Sequence, residues 1–197
     1  MTGSGKINGN RVHLAPIDPA DLDIYVKWLN DIEIYAYLDI APMLINKLTE
    51  QEYLGNTAKN GEQVFGIRLN SDQRLIGNCG LINIDHINRK AELGIFIAEA
   101  DCLNQGLGSE AIPLLLDYGF NILNLNNIFL RCYEYNKRAF RCYEKCGFKA
   151  AGRWRQAKII NGCKYDDLLM DILADDFGGS PYKIKLDTLL QTAQRNE

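Results

Sequence analysis

One short segment, Asn104-Gln105-Gly106-Leu107-Gly108-Ser109-Glu110-Ala111, constrains this chain more than any other. The residues before it, Ala91 to Ala98, read as a strand. Leu93, Ile95 and Ile97 fall on one side, and Glu92, Gly94 and Phe96 on the other. The residues after it, Ala111 to Leu123, put Ala111, Leu115, Tyr118 and Ile122 on one helical stripe. The segment is therefore a glycine-punctuated turn from strand to helix. Gly106 and Gly108 have no Cβ, so their backbone can approach a ligand closely or adopt positive φ. The first amides of a helix lack intrahelical partners and lie at the positive end of its dipole. Together these features suit phosphate oxygens. A plain connecting turn shows the same pattern, so the segment alone does not decide the matter. A helix starting near Gly108 or Ser109 brings Pro113 to or just past the first free amides, which predicts a kink or an irregular first turn.

A second stretch favours the ligand-binding reading: Asn136-Lys137-Arg138-Ala139-Phe140-Arg141-Cys142-Tyr143-Glu144-Lys145-Cys146-Gly147-Phe148. The pair, N-Q-G-L-G-S-E-A followed by N-x-x-A-x-x-x-Y-E-K-x-G-F, resembles the acetyl-CoA-binding core of the GNAT acetyltransferase superfamily. Two flanks, Lys27-Trp28-Leu29-Asn30-Asp31 and Ile160-Asn161-Gly162-Cys163-Lys164-Tyr165-Asp166-Asp167, are similar to the branch with ribosomal-protein N-terminal and spermidine acetyltransferases. The resemblance spans residues 10 to 177. One departure is Leu103, where the family motif usually has Gln or Arg.

The resemblance implies an α/β (α+β) fold with a mixed, mostly antiparallel sheet of six to seven strands flanked by helices. Its fourth and fifth strands splay apart to admit the pantetheine arm. It implies an acetyl-CoA-dependent N-acetyltransferase acting by direct attack of a primary amine on the thioester. The acceptor is a protein N-terminus, a polyamine or another small amine. The implied cofactor-binding residues are Phe96, Ile97, Asn104, Gln105, Gly106, Leu107, Gly108, Ser109 and Asn136. The implied proton donor to the departing thiolate is Tyr143, seven residues after Asn136 on one helical face. For the base, Glu92 is a charged residue in an otherwise apolar strand. A carboxylate desolvated there would take the amine proton; the competing reading is a salt bridge to Lys90 or Arg131. Asp85 and Glu134 are back-up bases. A buried core tyrosine competes with the catalytic reading of Tyr143. A catalytically silent acyl-CoA-binding sensor or subunit is the alternative function. A nucleotide-dependent dehydrogenase is disfavoured, because the full G-x-G-x-x-G and an N-terminal βαβ unit are both missing.

Bulk properties agree with a soluble enzyme. A chain of 197 residues is most simply one domain, here residues 1–177, followed by a tail at 178–197 in which Lys183 to Gln194 could form a short helix. A net charge of −3 argues against a nucleic-acid partner. No apolar run reaches the roughly 18 residues of a membrane span, and the start lacks a signal peptide, so a cytoplasmic location is expected. The six cysteines lack C-x-x-C spacing and only two histidines are present, which argues against a metal site. The cysteines read as reduced packing residues, with Cys142 and Cys146 one turn apart on a shared face. A homodimer is compatible with the family.

The remaining chain supplies the scaffold. Arg11 to Pro16 reads as a first strand, and Asp18-Pro19 opens a helix to about Asn30. Ile32 to Ile40 is either a short helix burying its aromatics or an acceptor wall in which Tyr35 and Tyr37 meet a cation. Pro42 breaks the chain, and Thr49-Glu50-Gln51-Glu52 is read as a capping box. Val64 to Leu69 and Leu75 to Asp85 form a hairpin in which Gly77 and Gly80 mark a bulge or close backbone approach. Ile128 to Tyr133, Phe148 onward, and Lys164 to Leu173 are further strands, the last two joined at Asn161-Gly162.

Overall fold

The computed structural model describes residues 7–38 and 44–178. Pro42 and the tail helix at 183–194 lie outside these residues. The strands are β1 (Ile7–Asn8), β2 (Val12–Pro16), β3 (Gln63–Leu69), β4 (Leu75–Asp85), β5 (Lys90–Ile97), β6 (Asn127–Tyr133), β7 (Lys149–Ile160) and β8 (Cys163–Leu173). They form one sheet in the order β1-β2-β3-β4-β5-β6-β8-β7. Every neighbouring pair is antiparallel except β5–β6. Seven strands match the expected set. The eighth, β1, is a two-residue edge that pairs with Leu14 and His13, too short for any periodicity to reveal it.

The helices are α1 (Leu22–Leu29), α2 (Ile32–Tyr35), α3 (Lys47–Lys59), α4 (Leu107–Asn121) and α5 (Lys137–Lys145). Asp18 accepts from the Ala20 amide at 2.9 Å and starts a single turn, Pro19–Asp21, that leads into α1. Tyr25 and Trp28 of α1 pack edge to face, 5.7 Å apart, and Trp28 meets Phe96 of β5 at 6.1 Å. This small cluster lays α1 on the sheet. The start of α3 differs from the expected capping box. Asn46 is the cap: its side chain accepts from the Leu48 and Thr49 amides, and Thr49 Oγ1 accepts from the Asn46 amide. Thr49 is thus the third helical residue, because asparagine caps as well as threonine does and comes first in the chain.

The main core lies between the other sheet face and α4. Ala111, Ile112, Leu115 and Leu116 of α4 are fully buried against Leu81, Ile128, Leu130 and Met170. Each of the leucine, isoleucine and methionine side chains contributes about 1.5–3 kcal/mol. The helix runs unbroken through Pro113. It begins at Leu107, earlier than the glycine pattern suggests, and the proline falls in its second turn, past the free amides of the first. The carbonyl that loses its i+4 partner is that of Ser109. The Cys146 thiol donates to that oxygen at 3.8 Å.

Two features of the sheet shape the site. First, β5 and β6 pair only through Lys90–Glu92 and Asn127–Phe129. Beyond that point they diverge, leaving the rest of β5 unpaired on its β6 side. Second, a Cβ on Gly77 would lie 2.1 Å from the Phe96 carbonyl oxygen, and one on Gly80 would lie 2.9 Å from that of Gln63. Close approach is therefore what these glycines permit, beside a register shift between β3 and β4.

Candidate active site

The cradle is made of backbone. Asn104 (φ 58°) and Gly106 (φ 77°) both take left-handed conformations, which turns the chain sharply into α4 with Gly106 as its cap. Leu107, Gly108 and Ser109 form the first helical turn, so their amides are the unpaired ones. A Cβ on Gly108 would meet nothing nearer than Cys142 Sγ at 3.9 Å, so this face stays open. The loop is held from outside: the Arg11 guanidinium donates to the Gln105 carbonyl at 2.9 Å and pairs with Glu110 at 2.8 Å. The Gln105 side chain donates back to the Asp101 carbonyl. Arg11 is far from the loop in sequence, and no local motif announces it.

These residues open into one cleft of about 1490 Å³. That volume exceeds the roughly 300–1,000 Å³ of an ordinary small-molecule pocket and suits two substrates meeting end to end. It is lined by Phe96, Ile97, Asn104, Gly106, Leu107, Gly108, Ser109, Asn136, Tyr143 and Glu92. Gln105 does not line it; its side chain and carbonyl are spent on holding the loop. Leu103 lines the cleft as an aliphatic wall.

On the other side of the splay, Asn136 caps α5, its Oδ1 accepting from the Ala139 amide at 3.1 Å. Two turns later Tyr143, 8 % exposed, packs edge-on against Phe148 while lining the cleft. Tyr143 is thus both a core tyrosine and a wall of the site. Burial pushes its phenol up, well above the ordinary tyrosine range. Lys137, Arg138, Arg141 and Lys145 of α5 also line the cleft, on the helix that faces the cradle.

The far part of the cleft carries the opposite charge. Asp31, Glu33, Glu50, Glu92 and Asp167 line it, together with Tyr37, Tyr133 and Tyr135. Tyr133 stacks on Tyr135 at 5.4 Å, and Tyr135 meets Tyr37 at 5.9 Å and Tyr165 at 4.9 Å. Tyr35 is not on the wall. The Lys158 ammonium sits 4.8 Å above the Tyr133 ring and donates to its hydroxyl at 3.0 Å, so this wall already holds a primary ammonium. Glu50 is buried, and desolvation raises its carboxyl above the usual range.

Glu92 accepts from Arg131 Nε at 2.8 Å and from Asn83 Nδ2 at 3.0 Å. The salt bridge to Arg131 is therefore present, and Lys90 is not its partner. Asp85 and Glu134 are elsewhere: Asp85 closes its own hairpin through Ile87 and Asn88, and Glu134 accepts from the Asp166 amide. Asp31, Glu33, Glu50, Tyr133, Tyr135 and Asp167 escaped sequence reasoning. Each is an ordinary surface or strand residue until the fold converges them. Among the described residues, no group of three or more His, Cys, Asp or Glu side chains is placed to hold a metal, and no helix is long and apolar enough to cross a membrane.

Comparison with known proteins agrees with this geometry. The family model described as an acetyltransferase (GNAT) domain matches residues 11–149. A spermidine N(1)-acetyltransferase of Vibrio cholerae is 31% identical over 159 residues, covering 81% of this chain and 90% of the relative. A putative ribosomal N-acetyltransferase of Bacillus subtilis, YdaF, is 31% identical over 108 residues, covering 55% of this chain and 58% of the relative. The crystal structure of spermidine N-acetyltransferase from Vibrio cholerae in complex with CoA and spermine superposes with a TM-score of 0.80 at 29% identity. It covers 87% of this chain and 100% of that one. The chain belongs to the GNAT acetyltransferase family and is an N-acetyltransferase that takes its acetyl group from acetyl-CoA.

Proposed function

We propose that the acceptor is a linear polyamine of the spermidine class, acetylated on a terminal primary amine. The observation that carries this reading is the far part of the cleft, where five carboxylates surround a wall of tyrosines. A polyamine presents several ammonium groups on a flexible apolar chain. Carboxylates match the charges, and aromatic faces match both the charges and the methylenes. The relatives named spermidine acetyltransferase support the same class.

In this reading the first-turn amides of α4 and the αL turn at Asn104–Gly106 hold the pyrophosphate. The α5 cations Lys137 and Arg138 meet the remaining phosphate charge. The pantetheine arm lies along the unpaired edge of β5 at Phe96 and Ile97, where its amide groups replace the missing strand, and the Asn136 side-chain amide borders it. The thioester then sits in the splay between β5 and β6. Holding amine and thioester there makes the attack effectively intramolecular.

The amine must lose its proton before it can attack. Glu92 receives that proton, directly or through a water, with Arg131 and Asn83 fixing the direction of its carboxylate. A backbone amide on the open edge of β5 stabilises the oxyanion as the tetrahedral intermediate forms. The carbon–sulfur bond breaks as the Tyr143 hydroxyl delivers its proton to the departing thiolate, and the second proton shed by the acetylated nitrogen returns to the tyrosinate. A phenol keeps its proton at neutral pH, and burial holds this one more firmly still.

The test is thiol release from acetyl-CoA with spermidine, with a monoamine of similar length and with a ribosomal-protein N-terminal peptide. Spermidine is expected to give the highest kcat/KM, and the monoamine a much higher KM. Preference for the peptide would overturn the polyamine reading while leaving the acetyltransferase intact.

A further inference from the structure

We propose that Cys142, on the wall of the cofactor cleft, and its neighbour Cys146 form a modification site, which a hydroperoxide oxidises to an intrahelical disulfide that weakens acetyl-CoA binding. Both sulfurs converge on the first turn of α4. Cys142 Sγ lies 3.1 Å from Ser109 Oγ and lines the cleft. Cys146 Sγ donates to the Ser109 carbonyl, which Pro113 leaves without its helical partner. Neither cysteine is fully buried, unlike Cys79, Cys102 and Cys132.

The surroundings favour reaction at Cys142. The Cys146 thiol beside it holds the Cys142 thiol well below the usual range, and the Ser109 hydroxyl, Lys145 and Arg138 add to the effect against the opposing cost of burial. Cys146 is pushed the other way by the same pairing. One thiol of the pair is thus the nucleophile and the other keeps its proton, the arrangement of an attacking and a resolving cysteine. In the first step the Cys142 thiolate attacks the peroxide. The O–O bond breaks, a sulfur–oxygen bond forms, and the hydroperoxide leaves as an alcohol or water after taking up a proton. In the second, Cys146 sulfur attacks Cys142 sulfur, and the sulfenic oxygen leaves as water with the Cys146 proton. Two thiols lose two electrons, and the peroxide gains them.

The bond requires a local movement with consequences. Side chains one turn apart have Cβ atoms about 5–6 Å apart, and a disulfide draws them to about 3.5–4.5 Å. Cys146 is already at the end of α5, where its amide donates to both Cys142 and Tyr143 carbonyls at 3.2 and 3.0 Å. That bifurcated last turn can tighten further. Tightening withdraws both sulfurs from Ser109 and shifts Tyr143, which lies between them in sequence.

The test treats the purified protein with one equivalent of hydrogen peroxide, maps the cysteines by mass spectrometry after alkylation, and measures acetyl-CoA binding by calorimetry. Expected are a Cys142–Cys146 linkage and a loss of acetyl-CoA affinity of roughly tenfold or more, both reversed by dithiothreitol. Bound acetyl-CoA should slow the oxidation. Cys146→Ser should instead accumulate a dimedone-reactive sulfenic acid at Cys142. Oxidation confined to the exposed Cys163, or a Cys142–Cys146 linkage that leaves acetyl-CoA affinity unchanged, overturns the proposal.

Discussion

The two parts of the cleft are built by different means. The part proposed to hold the cofactor is backbone: an αL turn at Asn104 and Gly106, the first amides of α4, and the open edge of β5. The part proposed to hold the acceptor is side chains, with carboxylates from α2 and its cap, α3, β5 and β8 and tyrosines from β6 and its surroundings. Backbone serves a ligand common to a family, because amides do not change with substitution. Side chains serve a ligand that differs between relatives. Variants should therefore separate cleanly, with cofactor-side changes moving acetyl-CoA parameters and acceptor-side changes moving amine parameters.

The largest effect is expected where the two parts meet. Tyr143→Phe removes the proton donor and little packing, since the ring still faces Phe148. A general acid contributes about 10²–10⁴-fold, so kcat should fall at least roughly 100-fold while acetyl-CoA affinity holds. Unchanged kcat would make Tyr143 a core residue alone. Next comes Gly106→Val. A β-branched residue at φ 77° costs about 1–2 kcal/mol or more, and the loop can relax only by moving the cradle. The KM for acetyl-CoA should rise roughly tenfold with the spermidine KM unchanged. A matching rise in the spermidine KM would break the proposed division. Glu92→Gln should cost about tenfold in kcat/KM for spermidine, because it removes the proton acceptor and leaves Arg131 without its carboxylate. Acetyl-CoA binding measured alone should not change.

The same division explains what could be read in advance. The cradle was legible because its conformations demand particular residues in a row: glycine at the αL cap, a strand before, a helix after. The Asn161-Gly162 hairpin turn was legible for a like reason, since both residues adopt positive φ. Glu92 was singled out as a lone charge in an apolar strand with Arg131 as a possible salt-bridge partner, and that pair is present; Asn83, from the far end of β4, was not foreseen. Asp167 and Glu50 were not legible. Asp167 sits among other acidic residues in a strand, and Glu50 looks like a solvated helix residue until the sheet covers it. Arg11, which pins the glycine loop, lies in the turn between β1 and β2, and only the packing of that sheet edge beside α4 brings it there. Pro113 does not interrupt α4, although it lies inside the helix, and the Ser109 carbonyl it frees finds a thiol.

The smallest effect is also the one most specific to the acceptor part. Burial raises the Glu50 carboxyl above its reference value of 4.5, so on lowering the pH it protonates before an exposed glutamate would. Its attraction for an ammonium is present above the folded pKa and is lost as pH falls through it. For stability the sign is reversed. The folded state binds this proton more tightly than the unfolded chain, so the penalty exists at neutral pH and is relieved as pH falls. Glu50→Gln should therefore raise the spermidine KM at pH 7.5 by roughly fivefold, the value of one partly solvated charge pair of about 1 kcal/mol, and should slightly raise the melting temperature. The amine and the remaining carboxylates titrate alike in both proteins. The ratio of mutant to wild-type KM thus isolates Glu50, and it should fall towards one as pH is lowered from neutral towards 4.5. A ratio that stays constant over that range would remove Glu50 from amine recognition and leave Asp31, Glu33 and Asp167 to carry the acceptor charge.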